Sequence, residues 1–166
     1  AFSQSLGIRT ELLGTLHIDV AIIVYNIATS FLELGHEEEA VRSYQETLRI
    51  EKAVLGAHHP DVVLTLKYIG QLFEQGGDVH AAIKCFSEIL DIQRRQTPQE
   101  MTEIARTLNT IAILELQKGN IDAMMIRMAD AARCIKRAGG DELHFMIVFR
   151  ENYWFSRLFP ENAPAA

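Results

Sequence analysis

The sequence repeats itself with a period of 42 residues, and this period limits the folds open to the chain more than any other feature. Three glycines, Gly35, Gly77 and Gly119, are spaced by this interval. A period of about 20–50 residues is typical of stacked repeat units that bury a continuous core between neighbours. Hydrophobic and small residues recur at the same interval in four sets: Val24, Leu66 and Leu108; Ile27, Ile69 and Ile111; Ala28, Gly70 and Ala112; Tyr44, Phe86 and Met128.

Each unit is predicted to contain two helices. The first helices begin near Asp19, Asp61 and Pro98 and carry apolar residues at intervals of three and four, which is the helical pattern. The repeated glycine ends each first helix, because a left-handed backbone conformation costs glycine little. In the third unit, Thr97 is the predicted N-cap and Pro98 the predicted first helical residue. No segment alternates with period two for long enough to be a strand, so the predicted fold class is all-α.

Small residues in each unit predict close packing between the helices. Ala28, Gly70 and Ala112 lie in the middle of first helices, while Ala40 and Ala82 lie early in second helices. Gly70 and Ala82 are expected to face each other. Large side chains are expected to fill the gaps beside the small ones, because protein interiors are close-packed; these are Phe31, Phe73, Tyr44 and Phe86.

The segment boundaries follow the same frame. Residues 1–16 match a second helix without its first helix, so we expect the natural protein to continue upstream or another chain to cover this end. Asp141 can N-cap a further helix that Pro160 limits. The predicted segments are a half unit over 1–16, full units over 17–58, 59–97 and 98–138, a capping or interaction helix over 141–160, and a tail over 161–166.

The repeat resembles the tetratricopeptide repeat. That family's first helix carries a large, an apolar, a small and an aromatic residue in order, matched here by Val24, Ile27, Ala28 and Phe31. The linkers over 13–20 and 55–62 are similar to those of the kinesin-light-chain and nephrocystin type of repeat. The resemblance implies a right-handed α-solenoid of stacked helix-turn-helix repeats with a C-terminal capping helix. It also implies a role in protein–protein interaction, whose partner the fold does not identify.

The sequence offers little for catalysis or metal binding. No phosphate-loop, dinucleotide-binding or zinc-protease motif occurs, and we predict a non-enzyme with no catalytic residue, no cofactor and no metal site. The histidines at 17, 58 and 59 are assigned to the turns between helices rather than to a metal. Cys85 and Cys134 are predicted to be buried or half-buried small hydrophobic residues. Three methionines are predicted to pack in the core: Met124, Met125 and Met128.

Charge and hydropathy argue against two classes of partner. The net charge is −6 and no basic stripe is present, which argues against nucleic acid. Apolar runs are broken well before the roughly 20 residues that a transmembrane helix needs, and no signal peptide opens the chain. Two cysteines cannot form a disulfide scaffold, which favours a reducing, intracellular compartment such as the cytoplasm.

The predicted function is binding of a protein or peptide partner in a groove. In stacked helix pairs the first helices line a concave face. Residues of a first helix that lie beside its row of buried apolar residues are expected to point into this face. A mixture of aromatic and amide side chains with single cations suits an extended or helical peptide. The predicted groove residues are Ile22, Tyr25, Asn26, Thr29, Leu64, Lys67, Tyr68, Gln71, Arg106, Asn109 and Ile113.

The C-terminal helix is predicted to carry a second interface. On one side of this predicted helix, a narrow arc of apolar residues, which includes Leu143 and Trp154, is sufficient to cap the third unit. A wider arc is expected to contact a second copy or a different subunit of a larger complex, and it contains Phe145, Phe149, Tyr153, Phe155 and Phe159. Two other functions stay open: a structural subunit held by its ends and convex face, and a regulatory module of an enzyme whose catalytic part lies outside this sequence.

Overall fold

The computed structural model describes residues 16–96 and 99–141, and every regular element in these ranges is an α-helix. The helices are α1 (Ile18–Glu33), α2 (Glu37–Val54), α3 (Pro60–Gln75), α4 (Val79–Gln96), α5 (Met101–Gln117) and α6 (Ile121–Arg137). The predicted all-α class is therefore confirmed. The half unit at residues 1–16, except for Leu16, and the C-terminal helix with its five aromatic interface residues lie outside the described ranges.

The helices pack as the pairs α1–α2, α3–α4 and α5–α6, as the repeat predicts. The chain divides into two compact units, the first containing α1 to α4 and the second containing α5 and α6. The turn inside each pair depends on the repeated glycine. Gly35 and Gly119 have φ angles of 78° and 82°, in the left-handed region. The residue after each glycine then donates its backbone N–H back to the last turn of the helix, as His36 does to the carbonyl of Phe31 at 2.9 Å.

The first unit has its core where the small residues predicted it. Ala28 and Ala40 are fully buried beside Tyr44, Ile69 and Leu72. The large residues expected to fill the gaps do so: Tyr44 and Phe86 are buried, and Phe31 and Phe73 pack partly buried against the same cluster.

The prediction that Gly70 faces Ala82 is wrong by one helical turn of α4, because Gly70 lies opposite Phe86 instead. A Cβ atom placed on Gly70 would lie 2.9 Å from the Phe86 ring and 3.3 Å from Cβ of Cys85, and these two residues supply its nearest neighbours. Ala82 is fully buried, but the residue that occupies the space opposite Gly70 is the large Phe86. The missing side chain of Gly70 therefore makes room for an aromatic ring rather than for a second small residue.

The second unit has an aliphatic core, in which Leu108, Ile111 and Ala112 are fully buried. The prediction for the three methionines holds only in part. Met128 is buried and Met124 is half-buried, but the side chain of Met125 is 61% exposed. Two isoleucines of α6, Ile121 and Ile126, are also exposed. Helix α6 thus shows solvent more apolar surface than its sequence period predicted.

The first helices of the first two repeats begin with the same histidine cap. Nδ1 of His17 accepts a hydrogen bond from the backbone N–H of Asp19 at 3.1 Å, and Nδ1 of His59 accepts one from Asp61 at 3.2 Å. The predicted assignment of these histidines to the turns is confirmed. Helix α5 has no such cap and begins at Met101, so the prediction of a helix starting at Pro98 is wrong. Gln99 lies in a turn instead, and its carbonyl accepts the N–H of Met101.

Candidate functional site

A cluster of three tyrosines joins α1, α2 and α3 inside the first unit. The rings of Tyr25 and Tyr44 meet edge to face with their centroids 5.2 Å apart. Tyr44 and Tyr68 stack with a centroid distance of 5.8 Å and an interplanar angle of 6°. Tyr25 and Tyr68 meet edge to face at 6.0 Å. We call these three residues the tyrosine cluster, and two of its members, Tyr25 and Tyr68, are predicted groove residues.

Hydrogen bonds between hydroxyl groups hold the tyrosine cluster in one arrangement. The hydroxyl of Tyr44 lies 3.0 Å from that of Thr29, which in turn donates to the backbone carbonyl of Tyr25. Burial, together with a hydrogen bond to Tyr68, raises the pKa of Tyr25 above its usual value. The phenol group of Tyr25 therefore stays neutral at physiological pH. The half-buried rings of Tyr25 and Tyr68 form a fixed aromatic floor between α1 and α3.

The other predicted groove residues of α1 and α3 surround this floor with exposed side chains. Ile22 and Leu64 are 54% and 47% exposed. Asn26, Lys67 and Gln71 are also exposed, so two amides and one cation are accessible beside the apolar side chains. We call the eight predicted groove residues of the first unit the first-helix face: Ile22, Tyr25, Asn26, Thr29, Leu64, Lys67, Tyr68 and Gln71.

The three predicted groove residues of the second unit all lie on α5. The guanidinium of Arg106 is exposed, and its Nε lies 3.6 Å from the carboxylate of Glu103 one turn earlier. Asn109 and Ile113 are half-buried. Oδ1 of Asn109 is buried and has no hydrogen-bond partner within the described residues. The positive charge of Arg106 is thus partly balanced on its own helix.

Sequence reasoning assigned Tyr44 to core packing and missed its connection with the two groove tyrosines. Tyr44 is buried, as predicted, yet it contacts both other rings of the cluster, and its hydroxyl lies within hydrogen-bond distance of the Thr29 hydroxyl. A signal was present in the alignment of the repeats. The equivalents of Tyr44 in the other units are Phe86 and Met128, so only this unit places a hydroxyl group at that position.

Three findings on the described residues concern metal binding, thiol chemistry and membrane insertion. Among residues 16–96 and 99–141, no three His, Cys, Asp or Glu side chains lie close enough together to hold a metal ion. Burial raises the pKa of Cys85 to about 11, so its thiol is protonated at neutral pH and is a poor nucleophile. Over the same part of the chain, no helix is both long and apolar enough to cross a membrane.

Comparison with known proteins shows what the repeat is similar to. Residues 38–95 match the family model of the tetratricopeptide repeat. The crystal structure of BtubC (BKLC) from P. vanneervenii aligns with a TM-score of 0.69 and 20% sequence identity, over 84% of this chain and 56% of that one. This chain therefore spans little more than half the length of BtubC. A search of curated proteins finds no match.

Two further crystal structures come from a Podosopora anserina protein described as a kinesin light chain with nearly identical TPR-like repeats. One aligns with a TM-score of 0.61 at 14% identity, over 92% of this chain and 85% of that one. The second, a variant of the same protein, aligns with the same score and identity over 95% and 84%. The expected resemblance to kinesin-light-chain-like tetratricopeptide repeats and the α-solenoid fold are confirmed.

Proposed function

We propose that this chain is a non-catalytic interaction module that binds a partner peptide or helix along its first helices. Tetratricopeptide repeats generally serve protein–protein interaction, and the first-helix face is the part of the first unit best suited to that role. In the second unit, the residues proposed for the same role are Arg106, Asn109 and Ile113 of α5.

The tyrosine cluster is the observation that supports this proposal most. Its rings are already fixed by mutual contacts and by the Thr29 hydroxyl, so a ligand that packs on Tyr25 and Tyr68 loses little free energy in ordering them. The exposed Ile22 and Leu64 add apolar area on either side of the rings. Exposed amides beside the rings can pair with the backbone of an extended peptide.

The charge of the first-helix face favours a peptide with at least one acidic residue. Lys67 is its only cation, and no carboxylate belongs to the set. An ion pair at so exposed a position contributes little affinity and is screened by salt. We therefore expect the aromatic and apolar contacts to determine affinity, while Lys67 selects among peptide sequences.

The first experiment replaces an apolar residue of the face by a charge. Peptides selected from a displayed random library are labelled, and their affinity is measured by fluorescence anisotropy. Leu64→Asp is expected to weaken binding by about tenfold or more, because a central apolar contact is lost. Val54→Asp is the matched control, since Val54 is 41% exposed, ends α2 and does not belong to the first-helix face. Equal affinities for both variants would contradict the proposal.

The second experiment tests Lys67 with an acidic peptide from the same selection. Lys67→Glu is expected to keep the fold and to weaken binding of this peptide, because the substitution replaces an attraction by a repulsion, whereas Lys84→Glu on α4 leaves binding intact. Wild-type binding is also expected to weaken modestly as salt is raised. Unchanged affinity of the Lys67→Glu variant would place binding elsewhere on the chain.

A further inference from the structure

A row of four residues runs along the exposed side of α6. Their spacing of four, three and four residues places them on one face of the helix. All four residues are exposed, and the apolar Ile126 is exposed to 60%. We call this set the outer row of α6, and it consists of Asp122, Ile126, Ala129 and Arg133.

The repeat leaves this row open even where another helix follows. In α2 the equivalent positions are all exposed, although α3 packs against α2 through the stacked rings of Tyr44 and Tyr68. These positions of α2 carry Glu38, Arg42, Gln45 and Arg49. A following helix therefore contacts a different face of a second helix, and the outer row lies where solvent or another protein can reach it.

The centre of the outer row is apolar in α6 and polar in the earlier second helices. The two central positions carry Arg42 and Gln45 in α2, and Lys84 and Ser87 in α4. In α6 they carry Ile126 and Ala129, and Met125, one turn before Ala129, is 61% exposed and widens the apolar surface. A single exposed apolar side chain is ordinary, but a cluster at positions that are polar elsewhere in the repeat indicates a contact.

The outer row is complementary to itself when two copies lie antiparallel. A two-fold axis between residues 127 and 128 brings Ile126 of one copy opposite Ala129 of the other, so a large side chain meets a small one. The same axis brings Asp122 opposite Arg133, so an acid meets a base. Each of these contacts occurs twice, because a two-fold interface uses the same residues of both copies.

The spacing of the row also suits two helices that stay in contact over several turns. Alternating intervals of four and three residues are those of the paired seam in coiled coils. Because Ala129 is small, the two backbones can approach closely at the centre of the contact. The row therefore has both the spacing and the side-chain sizes of a helix-pairing surface.

The charges at the two ends of the row favour the antiparallel arrangement over the parallel one. In a parallel pair each residue would face its own counterpart, so Asp122 would meet Asp122 and Arg133 would meet Arg133. Arg133 is already hydrogen-bonded to the carboxylate of Asp130 on its own helix. Its guanidinium has five N–H donors and its side chain is 68% exposed, so it can also bind Asp122 of a second copy.

We propose that the outer row of α6 is the interface of a homodimer, in which two copies of this chain pair antiparallel about this axis. The occupant is a second copy because the row itself supplies both members of each complementary pair. One helix from each copy forms an interface smaller than the roughly 1,600 Å² of a standard protein complex, so the dimer is weak and dissociates on dilution. The interface shares no residue with the first-helix face, and the proposal does not depend on the proposed function.

The test measures the association of the full chain by sedimentation equilibrium over a range of concentrations. Asp122→Arg and Arg133→Asp each replace two attractions by two repulsions, so each variant alone is expected to associate at least about tenfold more weakly than the wild type. An equimolar mixture of the two variants restores both opposite-charge pairs and is expected to recover the association. This recovery also shows that both variants are folded.

The matched control is Glu38→Arg, which makes the same kind of change at the equivalent position of α2. Because the centre of that row is polar, we expect this variant to associate like the wild type. Ile126→Arg introduces the residue that α2 carries at the equivalent position, Arg42, and is expected to abolish the association.

Three results would overturn the proposal. The first is a wild-type chain that remains a monomer at concentrations up to about 1 mM. The second is association that Ile126→Arg leaves intact, since the contact would then lie outside the outer row. The third is a mixture of Asp122→Arg and Arg133→Asp that associates no better than either variant alone, since these two residues would then not face each other across the interface.

Discussion

The first and third helix pairs share one geometry and differ in chemistry. In α1–α2, Tyr25, Thr29 and Tyr44 form a network of rings and hydroxyl groups. The equivalent positions in α5–α6 carry an amide, an aliphatic chain and a thioether: Asn109, Ile113 and Met128.

The difference affects both the hydrogen bonding of buried groups and the polarity of the second helix. Asn109 leaves its buried Oδ1 without a hydrogen-bond partner among the described residues, where the first pair has a hydrogen-bonded tyrosine. In α6, by contrast, Ile135 stands at the position where α2 carries the buried carboxyl group of Glu51. The period therefore determines which positions are buried, while the individual residues determine whether a pair contains a rigid aromatic cluster or an aliphatic core.

The largest expected effect is at the position shared by Tyr44 and Met128. Tyr44→Ala should lower the free energy of unfolding by about 3–5 kcal/mol, since it leaves a cavity beneath two rings. Met128→Ala should fall near the lower end of about 2–5 kcal/mol, because its flexible side chain makes no hydrogen bond. Urea denaturation followed by circular dichroism measures both values. An equal or larger loss at Met128 would mean that the tyrosine cluster adds nothing to ordinary packing.

The next effect concerns the small position at the centre of each first helix. Gly70→Leu should cost about 1–3 kcal/mol, because Phe86 already occupies the space that the new side chain needs. The double variant with Phe86→Leu should recover part of this loss. A Gly70→Leu protein that melts like the wild type would show that the packing of α3 on α4 is assigned wrongly.

The period made most of the fold predictable from the sequence, and local chemistry limited the rest. Small residues such as Ala28 and Ala40 located the core correctly because a buried backbone crossing tolerates only small side chains. The start of α5 was predicted wrongly. Thr97 and Pro98 form a good helix-start signal in the sequence, but the helix begins at Met101.

The candidate site was less predictable than the core. Spacing identified the first-helix residues as a set, but not the role of Tyr44, which belongs to a second helix and contacts Thr29. Such a contact joins residues 15 positions apart on different helices, so no periodic pattern within one helix contains it.

A buried acid makes the junction between α2 and α3 sensitive to pH. Burial raises the pKa of Glu51 above its ordinary value of 4.5, with nearby Asp61 adding to the shift, while Thr65 and His59 act in the opposite direction. Its Oε2 has no partner among the described residues. Because the pKa is higher in the folded state, the stability that protonated Glu51 contributes is complete in acid. It is lost as the pH rises through the folded-state pKa.

Glu51→Gln tests this, and Gln93 at the equivalent position shows that the repeat accepts the amide. The variant should unfold with a free energy about 1 kcal/mol higher than wild type at neutral pH, with the difference vanishing in acid. Urea denaturation at several pH values measures it, with Ile135→Val as a control whose loss does not depend on pH. A constant difference across the pH range would contradict the burial of an ionisable group at this junction.

The smallest expected effect distinguishes the helix starts of the two units. His59 is in the extended conformation that an N-cap needs, with φ −66° and ψ 146°, and its ring accepts the N–H of Asp61. Glu100 has ψ 59° and makes no side-chain cap. His59→Ala should therefore cost about 0.5–1 kcal/mol, whereas Glu100→Ala should leave stability unchanged within error. Differential scanning calorimetry at neutral pH can separate the two. Equal losses would mean that the histidine stabilises α3 through its ring packing rather than through the cap, and the two helix starts would then be alike.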